Sequence, residues 1–373
     1  MIINGLNSWI IPQNAPEFRH PPRPAELRQP DYEEKFDNST ILYDLFPSQG
    51  QETLIGIAPP LLNLEKYFSE NNFSSNGQNV PFFVRKMDRI CEIYFHNIKF
   101  NSSIKFFGDL GNKTLKPSPN MSDVFRGRRV LMTASRDNKL EWIEDWIRFN
   151  VSVHSADAVL VYDNGSTAYS IDDLHDCISH VPGIRAVAVV RWPFKWGPSG
   201  AGTRWDSNFC QLGAWQHARR RFLAEARSVL NADIDELVLT KDGRSVFEIV
   251  EQAPTGYVQF PGQWVVNISS DQPSSSWELR RHRDFNVRIK PGVADCETKW
   301  AVVPWRCPVD SQWGAHAISS LKSGAVQENV SYRHFRAISL SWKYDRESPV
   351  SYDAERHERD DLLIARMAAA SKF

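Results

Sequence analysis

The chain has 373 residues, 42% of them hydrophobic, with 13 Trp and 21 Phe, which supplies enough apolar surface for a large core and favours two domains over one. Its 44 basic and 45 acidic side chains leave a net charge of −1, which disfavours nucleic acid or another polyanion as a partner. Gly and Pro break the apolar runs short of the roughly 18 to 20 residues that a spanning helix needs; Leu54 to Leu64, for example, is split by Pro59-Pro60.

Met1 to Ile11 lacks a basic stretch followed by a sustained apolar one, so no secretory signal is expected and a cytoplasmic enzyme is the default. Cys91, Cys177, Cys210, Cys296 and Cys307 are odd in number and widely spaced, without the close pairs of a zinc site or a disulfide framework, and are expected to be free thiols. Triplets such as Asn38-Ser39-Thr40 and Asn267-Ile268-Ser269 would accept glycans only in a secretory compartment.

Residues 1–60 are rich in proline, and Pro21-Pro22-Arg23-Pro24 forbids regular helix or central strand, so an irregular arm is expected. Residues 61–127 read as a small β-rich unit plus a linker. The runs Pro81 to Val84, Glu92 to Phe95 and Ser103 to Phe106 alternate with polar turns, and Gly108 to Gly127 has a linker's composition. From Arg128 the pattern changes to strands alternating with helices, the signature of an α/β domain with a mainly parallel sheet, which is expected over residues 128–345. Val130 to Ala134, Ala158 to Tyr162 and Ile184 to Val190 read as buried strands. Leu140, Ile143 and Ile147 put an apolar stripe on the first helix. Further helices are expected near Ile171 to Ile178 and from about Ser207 to Arg227. Residues 346–373 hold a closing helix, Ala354 to Ala369.

The stretch Leu230-Asn231-Ala232-Asp233-Ile234-Asp235-Glu236-Leu237 delivers two carboxylates at i and i+2 to the end of an apolar run. Hard cations such as Mn²⁺ and Mg²⁺ take oxygen ligands and often bind through one or two carboxylates plus substrate phosphates. An acidic helix or turn cap is the competing explanation for so short a motif. Context favours the metal: ligands in open α/β sheets bind outside the carboxyl ends of strands, and Arg136, Asn138, Asp163, Asp233 and Asp235 all follow such ends. No Gly-x-Gly-x-x-Gly follows the first strand and no Walker lysine motif occurs, which disfavours dinucleotide and ATP cradles.

With these residues in place, Arg128 to about Lys343 resembles glycosyltransferases of the GT-A fold, in the family 2-like and family 92-like (galactan-synthase-like) group. Thr133 to Asn138 with Leu140 to Ile147 is similar to the family's opening strand, polar turn and tryptophan-bearing helix. Val159 to Ser166 is similar to the turn whose first carboxylate contacts the base or ribose. Asn208 and Gln211 match polar positions ahead of the family's Asp-x-Asp-Glu, and Ser331-Tyr332-Arg333-His334-Phe335-Arg336, with Ser339, Trp342 and Lys343, is similar to its closing segment.

The resemblance implies a GT-A domain that moves a hexose from a nucleotide diphosphate sugar, UDP-hexose, to a glycan or glycolipid acceptor with inversion. It implies Mn²⁺ or Mg²⁺ held by Asp233, Asp235 and His334. The donor would meet Arg136, Asn138, Asp163, Asn208, Gln211, Asp233, Lys299 and Arg336. Acceptor contacts are expected at His316 and Trp264, with His316 also a second candidate metal ligand. An acceptor hydroxyl needs a base, for which Glu297 is preferred to Asp295. Without a signal or anchor, the expected setting is surface polysaccharide or lipopolysaccharide assembly in the cytoplasm, with peripheral contact at the inner membrane.

Some residues have plainer explanations. His217-Ala218-Arg219-Arg220-Arg221 reads as a solvated helix face, with an anionic acceptor or lipid headgroup as the alternative. Trp192, Trp196 and Trp205 flank the segment Gly197 to Gly202, and they serve either as sugar platforms or as core. The rival functions are a non-catalytic carbohydrate-binding protein on the same fold and a metal-dependent phosphohydrolase or nucleotidyltransferase.

Overall fold

The computed structural model describes residues 1–50, 52–99, 101–200, 205–268, 280–321, 329–338 and 348–370. The buried runs read from the sequence become four parallel strands: β1 (Arg129–Ser135), β2 (Ala158–Asp163), β3 (Ala186–Arg191) and β4 (Ser228–Asn231). Their order in the sheet is β3-β2-β1-β4, so the chain reverses its direction of travel between β1 and β4. Such a reversal opens a crevice at the carboxyl ends of these two strands.

Three helices connect them, α1 (Leu140–His154), α2 (Ile171–Ser179) and α3 (Cys210–His217). Leu131 of β1 packs on one face of the sheet with Trp142, Trp146 and Ile147 of α1. Val130 and Met132 pack on the other with Tyr162, Trp192 and Trp215. Burial on both faces is why these strands read as continuous apolar runs rather than alternating ones. Trp192 is core, 1% exposed, whereas Trp205 is 39% exposed; residues 201–204 of the glycine-rich loop lie outside the described residues.

Beyond β4 the sheet becomes mixed. It continues through β5 (Glu236–Thr240), β6 (Tyr257–Val266), β7 (Val287–Ile289), β8 (Asp295–Val302), β9 (Val330–Phe335) and β10 (His357–Arg359), with helices α4 (Val246–Gln252) and α5 (Asp361–Ala370). Strand β8 runs antiparallel between β4 and β6, while β9 pairs antiparallel with β5 and parallel with β6. With the two-residue strand Ile2–Ile3 on the β3 edge, the sheet has 11 strands. The α/β architecture expected from the sequence is therefore present. Among the described residues no helix is long and apolar enough to cross a membrane.

The N-terminal part differs from its reading. Thr53–Ala58 pairs with Asp44–Pro47 and with Cys91–His96, which pairs in turn with Phe82–Lys86. Besides the two-residue strands Ile2–Ile3 and Trp9–Ile10, the strands Thr40–Leu42, Asp44–Pro47 and Thr53–Ala58 thus lie inside the segment expected to be irregular up to residue 60. Its prolines do not interfere, because Pro47 ends a strand and Pro59-Pro60 follow one, where a missing N–H costs no ladder bond. Lys113–Leu115, inside the expected linker, pairs with Ile104–Phe106.

The arginine run is also not a solvated face. After His217 the helix widens into a π turn, Ala218–Phe222, which leaves Arg219 and Arg221 only 6% and 2% exposed. Arg221 Nη1 donates to Asp44 at 2.7 Å, Arg220 Nε to Glu92 at 2.6 Å, and Arg219 to the Ser311 and Pro308 carbonyls. Asp44 and Glu92 lie on strands of the N-terminal unit and are buried there, so an ionic seam joins that unit to the α/β domain. The partners sit far apart in sequence, which hides the pairing from composition.

His154, the last residue of α1, is fully buried with Nε2 at 2.8 Å from the Val238 carbonyl and Nδ1 accepting from Val246 N at 3.2 Å. The neutral ring is satisfied at both nitrogens, and burial pushes its pKa down to about 4 from the ordinary 6.5. The unfolded chain therefore takes up this proton first, and stability should fall as pH drops from about 6.5 towards 4. Melting temperatures of wild type and His154→Gln across that window test this: the wild-type curve should be the steeper.

Candidate active site

The acidic motif sits in a turn. Strand β4 ends at Asn231, the Glu236 amide donates to the Asp233 carbonyl at 3.0 Å, and β5 begins at once with Glu236. Its register against β9 sets Glu236 opposite His334, and the register of β9 against β6 sets His334 beside Trp264. Directly paired residues of neighbouring strands share a face. Glu236, His334 and Trp264 therefore form a row across three strands, and the Phe335 amide, donating to the Asp235 carbonyl at 2.8 Å, holds Asp235 at its end.

The side chains converge. His334 Nε2 lies 3.0 Å from Asp235 Oδ2, and His334 Nδ1 lies 3.9 Å from Glu236 Oε1. One ligand atom each from Asp235, Glu236 and His334 all fall within 4.8 Å of one another. Two carboxylates and an imidazole form a donor set that suits Mn²⁺ well and Mg²⁺ acceptably, so these residues fit the implied metal. The Trp264 ring stacks on His334 at 4.1 Å and 20°, and the Arg336 guanidinium lies 5.0 Å from the centroid of the Trp264 ring.

Beside this cluster lies a buried ammonium. Lys299 Nζ is 2.6 Å from Asp233 Oδ2 and 3.0 Å from Glu236 Oε2, and Glu236 also accepts from the Asp233 amide at 2.9 Å. Burial, reinforced by Asp233 and Asp235, pushes the Glu236 carboxyl up to about 7 against the pull of Lys299 and His334. Burial also works against the Lys299 charge, but Asp233 and Glu236 outweigh it and hold that ammonium above the usual lysine range.

The sequence expectations fare unequally. Asp235 and His334 meet, whereas Asp233 is engaged by Lys299 and the third ligand-capable group is Glu236, which the spacing argument passed over. A signal was available: Glu236 opens an apolar strand, where a carboxylate needs a reason to be buried. Lys299 and Arg336 lie at the site, as does Trp264. Arg136 is exposed, with Nε 3.8 Å from Asp137. Asn138 donates to Ser135 Oγ at 2.9 Å, and the Asp163 carboxylate accepts from the Ser166 amide at 3.3 Å, so both order the turns that follow β1 and β2. Asn208 faces the N-terminal unit, accepting from Arg89 at 2.6 Å, while Gln211 is half-buried on α3. Ser339, Trp342 and Lys343 lie outside the described residues.

The two base candidates do not align with Lys299. The register of β8 against β6 shifts between Phe260 and Gly262, so β8 carries an extra residue and Glu297 leaves the alternation that would place it on the Lys299 face. A Cβ at Gly262 would lie 2.2 Å from the Tyr332 ring, which crosses there and donates to the Glu297 carbonyl at 2.6 Å. The Asp295 carboxylate accepts from the Gly292 amide at 3.4 Å and closes the preceding turn.

Trp264 should matter more for the imidazole than for the fold. Trp264→Ala is expected to cost about 0.5–1.5 kcal/mol of ring stacking and, by freeing His334, to weaken Mn²⁺ binding about 10- to 100-fold, as measured by calorimetry.

No family model and no curated protein matches this chain. Similarity to solved structures is found with the WbbM bifunctional glycosyltransferase (TM-score 0.27, 12% identity), the galactosyltransferase LgtC bound to donor and acceptor sugar analogues (0.24, 14%) and the S. cerevisiae mannosyltransferase Ktr4p (0.25, 14%). The matches cover 43%, 48% and 39% of this chain, which in turn spans 27%, 58% and 41% of those chains.

Proposed function

We propose that this protein is a metal-dependent glycosyltransferase, moving a hexose from a nucleotide diphosphate sugar, UDP-hexose, to a glycan or glycolipid acceptor with inversion. The observation that carries the proposal is the convergence of Asp235, Glu236 and His334 on one point past the carboxyl end of β4, the strand at which the strand order reverses. A divalent cation there would be held by those three side chains and would supply positive charge for the diphosphate as it leaves. The chain's own residues do the rest. Lys299 neutralises Asp233 and Glu236, and Arg336 on Trp264 adds a cation at the same rim. Charge placed beforehand where the leaving group becomes negative stabilises the transition state more than the ground state. Assembly of a surface polysaccharide or lipopolysaccharide, in the cytoplasm and in contact with the inner membrane, is the setting we propose for it.

The test is thermal stability of the full chain against a panel of UDP- and GDP-hexoses, with and without Mn²⁺, followed by product analysis. A true donor raises stability by mass action, about 2.7 kcal/mol at a hundredfold excess over its Kd, and only with the metal present. Release of UDP supports glycosyl transfer. UMP or inorganic phosphate would instead indicate a nucleotidyltransferase or phosphohydrolase, and binding without turnover a carbohydrate-binding protein.

A further inference from the structure

Glycosyl transfer needs a group to take the acceptor proton, and neither Glu297 nor Asp295 shares the Lys299 face of β8. A different residue stands at this rim. The loop Trp313–Ile318 closes on itself through a bridge between its ends and is fastened to the strands that carry the site. Trp300 Nε1 donates to the Gly314 carbonyl at 2.9 Å, Asn231 Nδ2 to the Ala315 carbonyl at 2.8 Å and Thr298 Oγ1 to the His316 carbonyl at 2.8 Å. Asn231 ends β4 two residues before Asp233, and Thr298 adjoins Lys299 on β8, so the loop that carries His316 is fastened beside the residues of the buried ion pair.

The orientation of the His316 ring is set as well. Its Nδ1 lies 3.1 Å from the Thr298 carbonyl, which can only accept, so the ring proton sits on Nδ1 and Nε2 keeps its lone pair. The residue is exposed, and among the described residues Nε2 has no hydrogen-bond partner. Its charged neighbours are Lys299, Asp233 and Glu297. Desolvation, with Lys299 adding, outweighs the Thr298 carbonyl and the two carboxylates and holds the imidazole below its usual range.

Building on the glycosyl-transfer proposal, we infer that His316 is the general base, its Nε2 taking the proton of the acceptor hydroxyl. As the acceptor oxygen bonds to the anomeric carbon, the bond from that carbon to the diphosphate oxygen breaks and its electron pair leaves with the nucleoside diphosphate. The acceptor proton passes to Nε2 and from there to solvent. Glu297, near the ring, favours the imidazolium that results.

The experiment measures UDP release by the full chain with Mn²⁺ from UDP-glucose, UDP-galactose and UDP-N-acetylglucosamine, water serving as acceptor, across pH from about 5 to 9. His316→Gln should lower release about 10²- to 10⁴-fold. Affinity for UDP with Mn²⁺ should stay within about threefold of wild type, because the loss lies in the chemical step. Below pH 6.5 the wild-type rate should fall more steeply than that of the variant, in which protonation at Glu236 remains and that of His316 is gone, and added imidazole should restore part of the rate in His316→Ala. Release by His316→Gln within about threefold of wild type, with an acid limb as steep as the wild type's, overturns the inference and leaves the glycosyl-transfer proposal standing. A wild-type protein that releases no UDP from any of the three donors overturns that proposal, and the inference with it.

Discussion

Lys299→Met should destabilise the protein by about 3–5 kcal/mol, the range seen when one partner of a buried ion pair is removed and the other is left behind. The loss is large because Lys299 serves two carboxylates at once, at 2.6 Å and 3.0 Å, from a position 1% exposed. Methionine fills much of the volume but leaves the Glu236 carboxylate without its counter-charge in a setting where burial already opposes ionisation. Urea unfolding of the variant measures the loss. Adding Glu236→Gln to Lys299→Met should recover part of it, since the double variant no longer buries a lone charge there. A single variant as stable as wild type would mean that the ion pair contributes nothing to the fold.

Asp235→Asn should leave folding intact and lower metal-dependent transfer by more than about 100-fold, beyond what is lost when only a residue supporting a ligand is changed. The substitution is tolerable because the Asp235 side chain is half-buried and the backbone bond from the Phe335 amide survives it. An amide can still hydrogen-bond His334 but supplies no negative charge to a hard cation. Rates measured against Mn²⁺ concentration should not recover at saturation. Wild-type turnover in this variant would remove Asp235 from the metal site.

The parallel half of the sheet was legible because its strands are buried on both faces and its helices carry a single apolar stripe, patterns set by local periodicity. Asp235 and His334 were legible as well, though their meeting depends on the pairing of β5 with β9 across almost a hundred residues, which only the resemblance anticipated. Glu236 was passed over because the reason for a carboxylate at the start of an apolar strand appears only with its distant partner Lys299. Glu297 was preferred to Asp295 only for lying in an acidic segment after the metal motif, and the register shift opposite Gly262, which takes it off the Lys299 face of β8, has no local signature in the sequence. The arginines of the π turn looked solvated since their partners, Asp44 and Glu92, lie in a unit whose strands were read as partly irregular. Each miss came from a long-range pairing or a break in local register, neither of which composition or periodicity records.

The central claim is that Asp235, Glu236 and His334 hold a divalent cation for a nucleoside diphosphate. Calorimetric titration of Mn²⁺ into the full chain in the presence of UDP, for wild type and for Asp235→Asn, tests it most directly. The account predicts saturable binding by wild type at one ion per chain, weaker when UDP is left out, and no measurable binding by the variant. Equal binding by both proteins, or none by wild type, would contradict it.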